Sequence, residues 1–232
     1  MSVPPVGTAD VTRARAAVPA GLVVATVAGF ALVALLGAGV RTGFAPQLRL
    51  DAAVSEALYA GDDRARALDW LLETLTAPGL SAVRLVLLLP VVVWLARRRA
   101  WRTVAWVVLS AGLVSPVTAL LKDYFGRVRP PFDDGGARYE SLSYPSGHSS
   151  GIAALVTVAL VLAWPWLTSA SRRLWATAGV VLVVLVGLTR MWLGVHYLSD
   201  VLGGWALGLS WCLLVAVLLD ALPGGRAALP PR

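Results

Sequence analysis

The chain has one lysine, Lys122, and two histidines, His148 and His196, and all three fall in its carboxyl-terminal half together with Arg129 and Arg190. A lysine and two arginines gathered in one place suit an anion with several negative oxygens, above all phosphate, because the guanidinium fork matches two of its oxygens at once. The run Pro145-Ser146-Gly147-His148 reads as the opening of a helix. Free backbone N–H groups and the positive end of the helix dipole would add donors to the same anion there, and Gly147 would let the backbone come close to it. His196 and Asp200 stand four residues apart at a helix start, so they share a face. The carboxylate can then hold one imidazole nitrogen while the other points at phosphorus, which is the arrangement of a nucleophile and its orienter. His148 is placed to protonate the departing oxygen as general acid. Asp123, Asp133, Asp134 and Glu140 match no cage spacing and read as a solvated loop, so no metal and no other cofactor is expected. Arg127 and Arg138 are open between a headgroup contact and a water-facing place, and Tyr144 between lining the pocket and packing.

Those residues need elements to carry them, and the composition says which kind. The 232 residues are 58% hydrophobic and only 14% charged, with a mean hydropathy of +0.74. A soluble domain carries roughly a quarter of charged residues, so the chain belongs in a bilayer. Apolar runs mark six spans, at about 19–40, 79–96, 103–121, 149–168, 173–189 and 200–219. In hydrocarbon a helix satisfies its backbone groups within the segment, so an all-α bundle of six transmembrane helices in a single domain over 1–232 is expected. The first span follows Arg13 and Arg15 but is longer than a signal-peptide core, and reads as a retained helix. Between the first two spans, 45–76 carries apolar residues at three- and four-residue intervals among acids, which predicts amphipathic interfacial helices broken at Gly61. The ends, 1–18 and 221–232, read as short flexible tails. Cys212 has no partner and reads as a small buried hydrophobe.

Following the alternation of spans, the third leaves the membrane at Lys122, the fourth enters after His148, the fifth leaves at Arg190 and the sixth enters at His196 and Asp200. All five residues therefore reach one membrane face, with Arg129 in the loop between Lys122 and His148. The clusters Arg97–Arg99 and Arg172–Arg173, bracketed by Trp94, Trp101, Trp166 and Trp175, lie on the other. Basic clusters in short loops stay inside and tryptophans sit at headgroup level, so the chemistry is expected on the extracytoplasmic face. Arg41 and Arg84 read as further interfacial anchors. The net charge of +7 is taken as orientation and contact with anionic headgroups, with no nucleic-acid partner.

Three segments carry a family resemblance. KDYFGRVRP from Lys122 to Pro130 matches KxxxxxxRP, PSGH at 145–148 matches a second signature, and TRMWLGVHYLSD ending at Asp200 matches SRxxxxxHxxxD. In order and together they resemble the type 2 phosphatidic acid phosphatase superfamily over roughly the carboxyl-terminal half. Thr189 stands where the family pattern has serine, and keeps the hydroxyl. The resemblance implies six helices, metal-independent removal of phosphate from a membrane lipid and a phosphohistidine intermediate. It implies that Lys122, Arg129 and Arg190 hold phosphate, that Ser146 and Gly147 donate hydrogen bonds, that His148 is the acid, and that His196 with Asp200 is the nucleophile pair. Vanadium haloperoxidases share the motifs, but they are typically soluble and six apolar spans argue against one. A site on the extracytoplasmic face resembles members that recycle a polyprenyl diphosphate carrier of the cell envelope, the leading substrate. Phosphatidic acid and phosphatidylglycerol phosphate are the alternatives. The reading from a different class, a lipid-phosphate transporter or a non-enzymatic lipid-binding protein, is disfavoured by the lack of a mid-span carboxylate or an internal repeat.

Overall fold

The computed structural model describes residues 18–225 and 227–229, so the tail expected over 1–18 lies outside the described residues except for Val18. The described residues form eight α-helices and no strand: α1 Ala20–Thr42, α2 Ala45–Leu58, α3 Arg66–Thr76, α4 Ser81–Arg97, α5 Trp101–Phe125, α6 Gly147–Ala163, α7 Ser169–Trp192 and α8 Leu198–Leu218. Valine, glycine and alanine dominate several of them. Such residues form weak helices in water, but hydrocarbon offers the backbone no other partner.

α1, α5, α6 with the turn after it, α7 and α8 are each long and apolar enough to cross a bilayer, and α4 joins α3 across a 49° bend to make a sixth candidate span. The expected spans are therefore matched within a few residues, and the shifts at two ends matter. α5 runs on to Phe125 and α7 to Trp192, so Lys122 and Arg190 are held on last helical turns instead of in loops. α5 stops at Gly126, whose φ of 67° is the left-handed conformation that glycine adopts without strain.

The break expected at Gly61 is present, with φ of 91° between α2 and α3. α3 is strongly one-sided, whereas α2 departs from an apolar inner face: its buried residues are Asp51 and Ser55. Two further expectations are corrected. Arg84 is no interfacial anchor but is 1% exposed, donating to the Ala111 carbonyl at 3.0 Å and to Ser115 Oγ at 2.7 Å beside Pro116 of α5. The guanidinium thus ties α4 to α5 inside the bundle, on the turn that precedes Pro116. The described part of 221–232 is no loose tail either. Ala221 and Ala227 are buried in the main apolar core, and the Ala227 carbonyl accepts from Thr103 Oγ1 at 2.6 Å. Cys212 is buried in that core as expected.

α8 packs on α1, α5 and α6, which makes it the hub of the bundle. Its approach to α6 is set by glycines: a Cβ on Gly204 would come within 2.6 Å of the Ser146 carbonyl oxygen, and one on Gly208 within 2.3 Å of that of Ser150. Small residues let membrane helices approach closely and gain packing where no hydrophobic drive acts between them. This is the contact that draws the helix of His148 against the helix of Asp200. Gly208→Val is expected to lower stability by about 1–3 kcal/mol through overpacking. Thermal unfolding of the detergent-solubilised chain checks this, and an unchanged midpoint contradicts it.

At the far end of the bundle, the Trp94 and Trp166 rings meet edge to face at 6.3 Å, and Arg98 and Arg172 lie over the rings of Trp94 and Trp164 at 4.6 and 5.1 Å. The two basic clusters and their tryptophans therefore share one end.

Candidate active site

α5, α6, α7, α8 and the 126–146 loop meet at the opposite end. Lys122 sits on the last turn of α5 and its ammonium donates to the carbonyls of Leu142 and Ser143, the latter at 3.2 Å, which ties the loop to the helix. Arg129 lies in that loop with its guanidinium over the Tyr139 ring at 4.8 Å, donating from Nε to the Ser141 carbonyl at 2.7 Å and from Nη1 to the Val195 carbonyl at 2.8 Å. Its Nη1 also stands 3.1 Å from His196 Nε2.

His196 follows the turn at Gly194, whose φ is 66°, and precedes α8. Its Nδ1 lies 3.3 Å from Asp200 Oδ2. A guanidinium can only donate, so Nε2 presents its lone pair to Arg129 and the proton sits on Nδ1, facing Asp200 Oδ2 and, equally at 3.3 Å, Ser143 Oγ. Asp200 is fully buried. Its Oδ2 accepts from Ser143 Oγ and from the Tyr197 backbone N–H at 2.9 Å, and its Oδ1 from Arg127 Nη1 at 2.9 Å. Burial, and after it the positive charges of Arg129, Lys122, Arg190 and Arg127, push the His196 imidazole well below its ordinary range. The sign favours a nucleophile: a depressed pKa keeps the ring neutral, with a free lone pair, as pH falls through the usual imidazole value of about 6.5. Nitrogen NMR of the labelled chain is expected to find this ring still neutral there; protonation at the ordinary value would contradict the geometry.

His148 is the second residue of α6, and its imidazole has no hydrogen-bond partner among the described residues. It lies within electrostatic reach of Arg190, His196, Arg129 and Lys122. Arg190 is 2% exposed, yet its Nε and Nη1 have no hydrogen-bond partner. Glu73 of α3 stands 3.8 Å from Nη1, an ion pair too long for a hydrogen bond. Buried guanidinium donors without acceptors are costly, and an incoming anion would satisfy them. Beyond Gly147 there is open space, since a Cβ built on it meets nothing within 4 Å. Ser146 is more occupied than the motif implied. Its N–H donates to the Asp200 carbonyl at 2.9 Å and its Oγ caps α6 by accepting from the Ser149 N–H at 3.4 Å, which leaves its hydroxyl proton as the donor it can offer. A cavity of about 310 Å³ lined by Arg64, Asp69, Trp70, Glu73, Asp134 and Arg138 among others reaches Tyr139 and Val195, the two residues that Arg129 touches, without being lined by the cluster itself.

The structure thus brings Lys122, Arg129, Ser146, Gly147, His148, Arg190, His196 and Asp200 to one place. Sequence reasoning missed Ser143, Ser199 and Asp51, which complete the surroundings of Asp200 and Arg127. It left Arg127 and Tyr144 open. Arg127 is largely buried in ion pairs with Asp51 and Asp200, and Tyr144 packs, donating to the Val33 carbonyl at 2.6 Å with no exposed surface.

A model of the PAP2 superfamily matches residues 100–222, which is more than half of the chain and holds every residue of this cluster. The chain belongs to the PAP2 superfamily. Among PAP2 relatives, phosphatidylglycerophosphatase B of Bacillus subtilis is 42% identical over 99 residues, 41% of this chain and 48% of that protein. The chain thus spans about half the length of that relative. Decaprenylphosphoryl-5-phosphoribose phosphatase of Mycobacterium tuberculosis is 33% identical over 147 residues, 61% of this chain and 72% of that protein. The crystal structure of a transmembrane PAP2 type phosphatidylglycerolphosphate phosphatase from Bacillus subtilis superposes with a TM-score of 0.67 at 30% identity, covering 83% of this chain and 94% of that one. The membrane-embedded PAP2 bundle is therefore the fold of this protein.

Proposed function

We propose that this chain is a membrane lipid phosphatase that works through a phosphohistidine and needs no metal. The observation that carries the reading is the His196 ring, with Nδ1 at 3.3 Å from a buried carboxylate and Nε2 turned to a cluster of cations, 3.1 Å from Arg129. A phosphate placed there displaces Arg129 from the nitrogen and takes its donors, together with those of Arg190 and the start of α6. His196 Nε2 then attacks phosphorus, the bond to the lipid oxygen breaks, and that oxygen takes a proton from His148. Water next attacks the phosphorus, giving its proton to His148, and the P–N bond breaks to free phosphate and restore neutral His196. Asp200 balances the positive charge that the ring carries while it is phosphorylated. Lys122, Arg129 and Arg190 meet the charge spread over the equatorial oxygens, so positioning and electrostatics carry the acceleration.

The site is assigned to the extracytoplasmic face, because it lies at the end of the bundle opposite Arg97–Arg99 and Arg172–Arg173. The leading substrate is a polyprenyl diphosphate. Two relatives with broad coverage carry polyprenyl names: the mycobacterial protein above and a putative undecaprenyl-diphosphatase of Escherichia coli, 29% identical over 160 residues, 66% of this chain and 76% of that protein. Phosphatidylglycerol phosphate is the second reading, favoured by the superposition on a phosphatase for that lipid. Phosphate release in detergent, with chelator present, from polyprenyl diphosphate, phosphatidate and phosphatidylglycerol phosphate separates them. The polyprenyl substrate is expected to give the highest kcat/KM. Lipid binding without phosphate release from any of the three would replace the enzyme with a binding protein.

A further inference from the structure

Arg127 is a buried arginine near the site whose donors are taken by other side chains. Its Nη1 donates to Asp200 Oδ1 at 2.9 Å and to Ser199 Oγ at 2.7 Å, its Nη2 donates to Asp51 Oδ2 at 2.7 Å, and the Tyr197 ring covers its face at 4.0 Å. Asp51 comes from α2, far from the cluster in sequence. It accepts from the Ser199 N–H at 2.9 Å and from Ser199 Oγ at 2.6 Å on the first turn of α8, and is 1% exposed. The result is a buried chain of carboxylate, guanidinium and carboxylate that ends on the residue orienting His196.

We propose that Arg127, locked by Asp51, is a positioning residue of the phosphatase: it fixes the Asp200 carboxylate against His196 Nδ1. The proposal rests on the reading of His196 as nucleophile. A carboxylate has about four lone-pair sites. Ser143, Tyr197 and His196 crowd onto Oδ2 of Asp200, while among the described side chains Arg127 alone holds Oδ1. Without it, Oδ1 is a buried acceptor with no side-chain donor, and the carboxylate can tilt about its held Oδ2, which shifts its contact with the imidazole.

The bridge also sets charge. Arg127 beside Asp200 alone would cancel the negative charge that the phosphorylated ring needs. Asp51 takes up that positive charge, so the three groups together remain one unit negative, facing the cations Lys122, Arg129 and Arg190. Planarity explains the choice of arginine, because the guanidinium meets two carboxylates from one rigid plane, whereas an ammonium is a point charge.

A purely structural role, in which the bridge only ties α2 to α8, predicts something different. The distinguishing readouts are kcat and the competitive inhibition constant of inorganic phosphate, measured on the full chain in detergent. If Arg127 acts through Asp200, Arg127→Gln lowers kcat by about 10²-fold, the cost of a misplaced catalytic group. Its phosphate inhibition constant stays within about twofold, since neither bridge residue touches the anion pocket. Arg127→Gln combined with Asp200→Asn is no slower than Asp200→Asn alone, because residues acting as a unit are not additive. Asp51→Asn keeps the shape and the hydrogen-bonding capacity. It carries the test if Arg127→Gln does not fold, with kcat down about tenfold and phosphate inhibition unchanged.

Full additivity in the double variant, wild-type kcat in Arg127→Gln or Asp51→Asn, or a parallel loss of phosphate inhibition would overturn the assignment. His196→Ala run alongside keeps the two readings apart. If it still releases phosphate, the nucleophile reading falls and takes this one with it. If it is inactive while Arg127→Gln turns over normally, only the bridge is wrong.

Discussion

His196→Ala is expected to lower phosphate release from the lipid substrate by on the order of 10⁶-fold, the size of loss seen when a covalent nucleophile is removed. The ring is buried between Asp200 and Arg129, which hold it by both of its nitrogens. His148 does not substitute, because it opens α6 with no carboxylate holding its ring among the described residues. The variant retains Lys122, Arg129 and Arg190, so inorganic phosphate should still bind, and rapid alkaline quench should trap phosphohistidine in the wild type and none in the variant. Turnover within tenfold of wild type would remove His196 from the chemistry.

The second large effect is expected at Arg190. Its Nε and Nη1 are buried without acceptors, so the donors are already desolvated and pay no further penalty when phosphate arrives. Arg190→Ala is expected to cost about 10²–10³-fold in kcat/KM, or about 2.7–4 kcal/mol, the usual loss for one preorganised donor to developing charge. In contrast to His196→Ala, it should also weaken inhibition by inorganic phosphate. Arg190→Lys should recover only part of the loss, because a point charge lacks the planar fork. Steady-state kinetics on both variants checks this, and wild-type kcat/KM in Arg190→Ala would mean that the unpartnered donors serve something other than substrate.

What could be read from the chain before folding was local or topological. His196 and Asp200 are four residues apart, and helix geometry makes them neighbours in any context. The alternation of spans brought Lys122, His148 and Arg190 to one face by counting crossings, and the three motifs lie in segments short enough to be read whole. The gathering of Arg127 and Asp51 was hidden for the opposite reason. They are 76 residues apart and Asp51 is 148 from Ser199, so no periodicity connects them. Asp51 also looked like one more acid on an interfacial helix, since a polar residue aimed inward has the same spacing as one aimed outward. Arg84 was misplaced similarly: an arginine near the start of a span reads as an anchor, and its turn toward Ala111 and Ser115 depends on a neighbouring helix. The segment after α8 looked loose because its prolines and glycines bar a helix, yet Ala221 and Ala227 fill a gap at the end of the core.

Composition and hydropathy by themselves determined that this chain folds as helices in a bilayer, because only helices satisfy the backbone there one segment at a time. The motifs determined which atoms would do chemistry, because the residue types of phosphate binding are few and these are placed in short runs. The state of those atoms was left to the tertiary structure. Glycines of α8 let α6 approach and bring His148 toward His196, burial pushes the His196 imidazole below its ordinary range, and Arg127 reaches Asp200 while held by the remote Asp51. These depend on which surfaces exclude water together, a property of the packed bundle that no single segment carries.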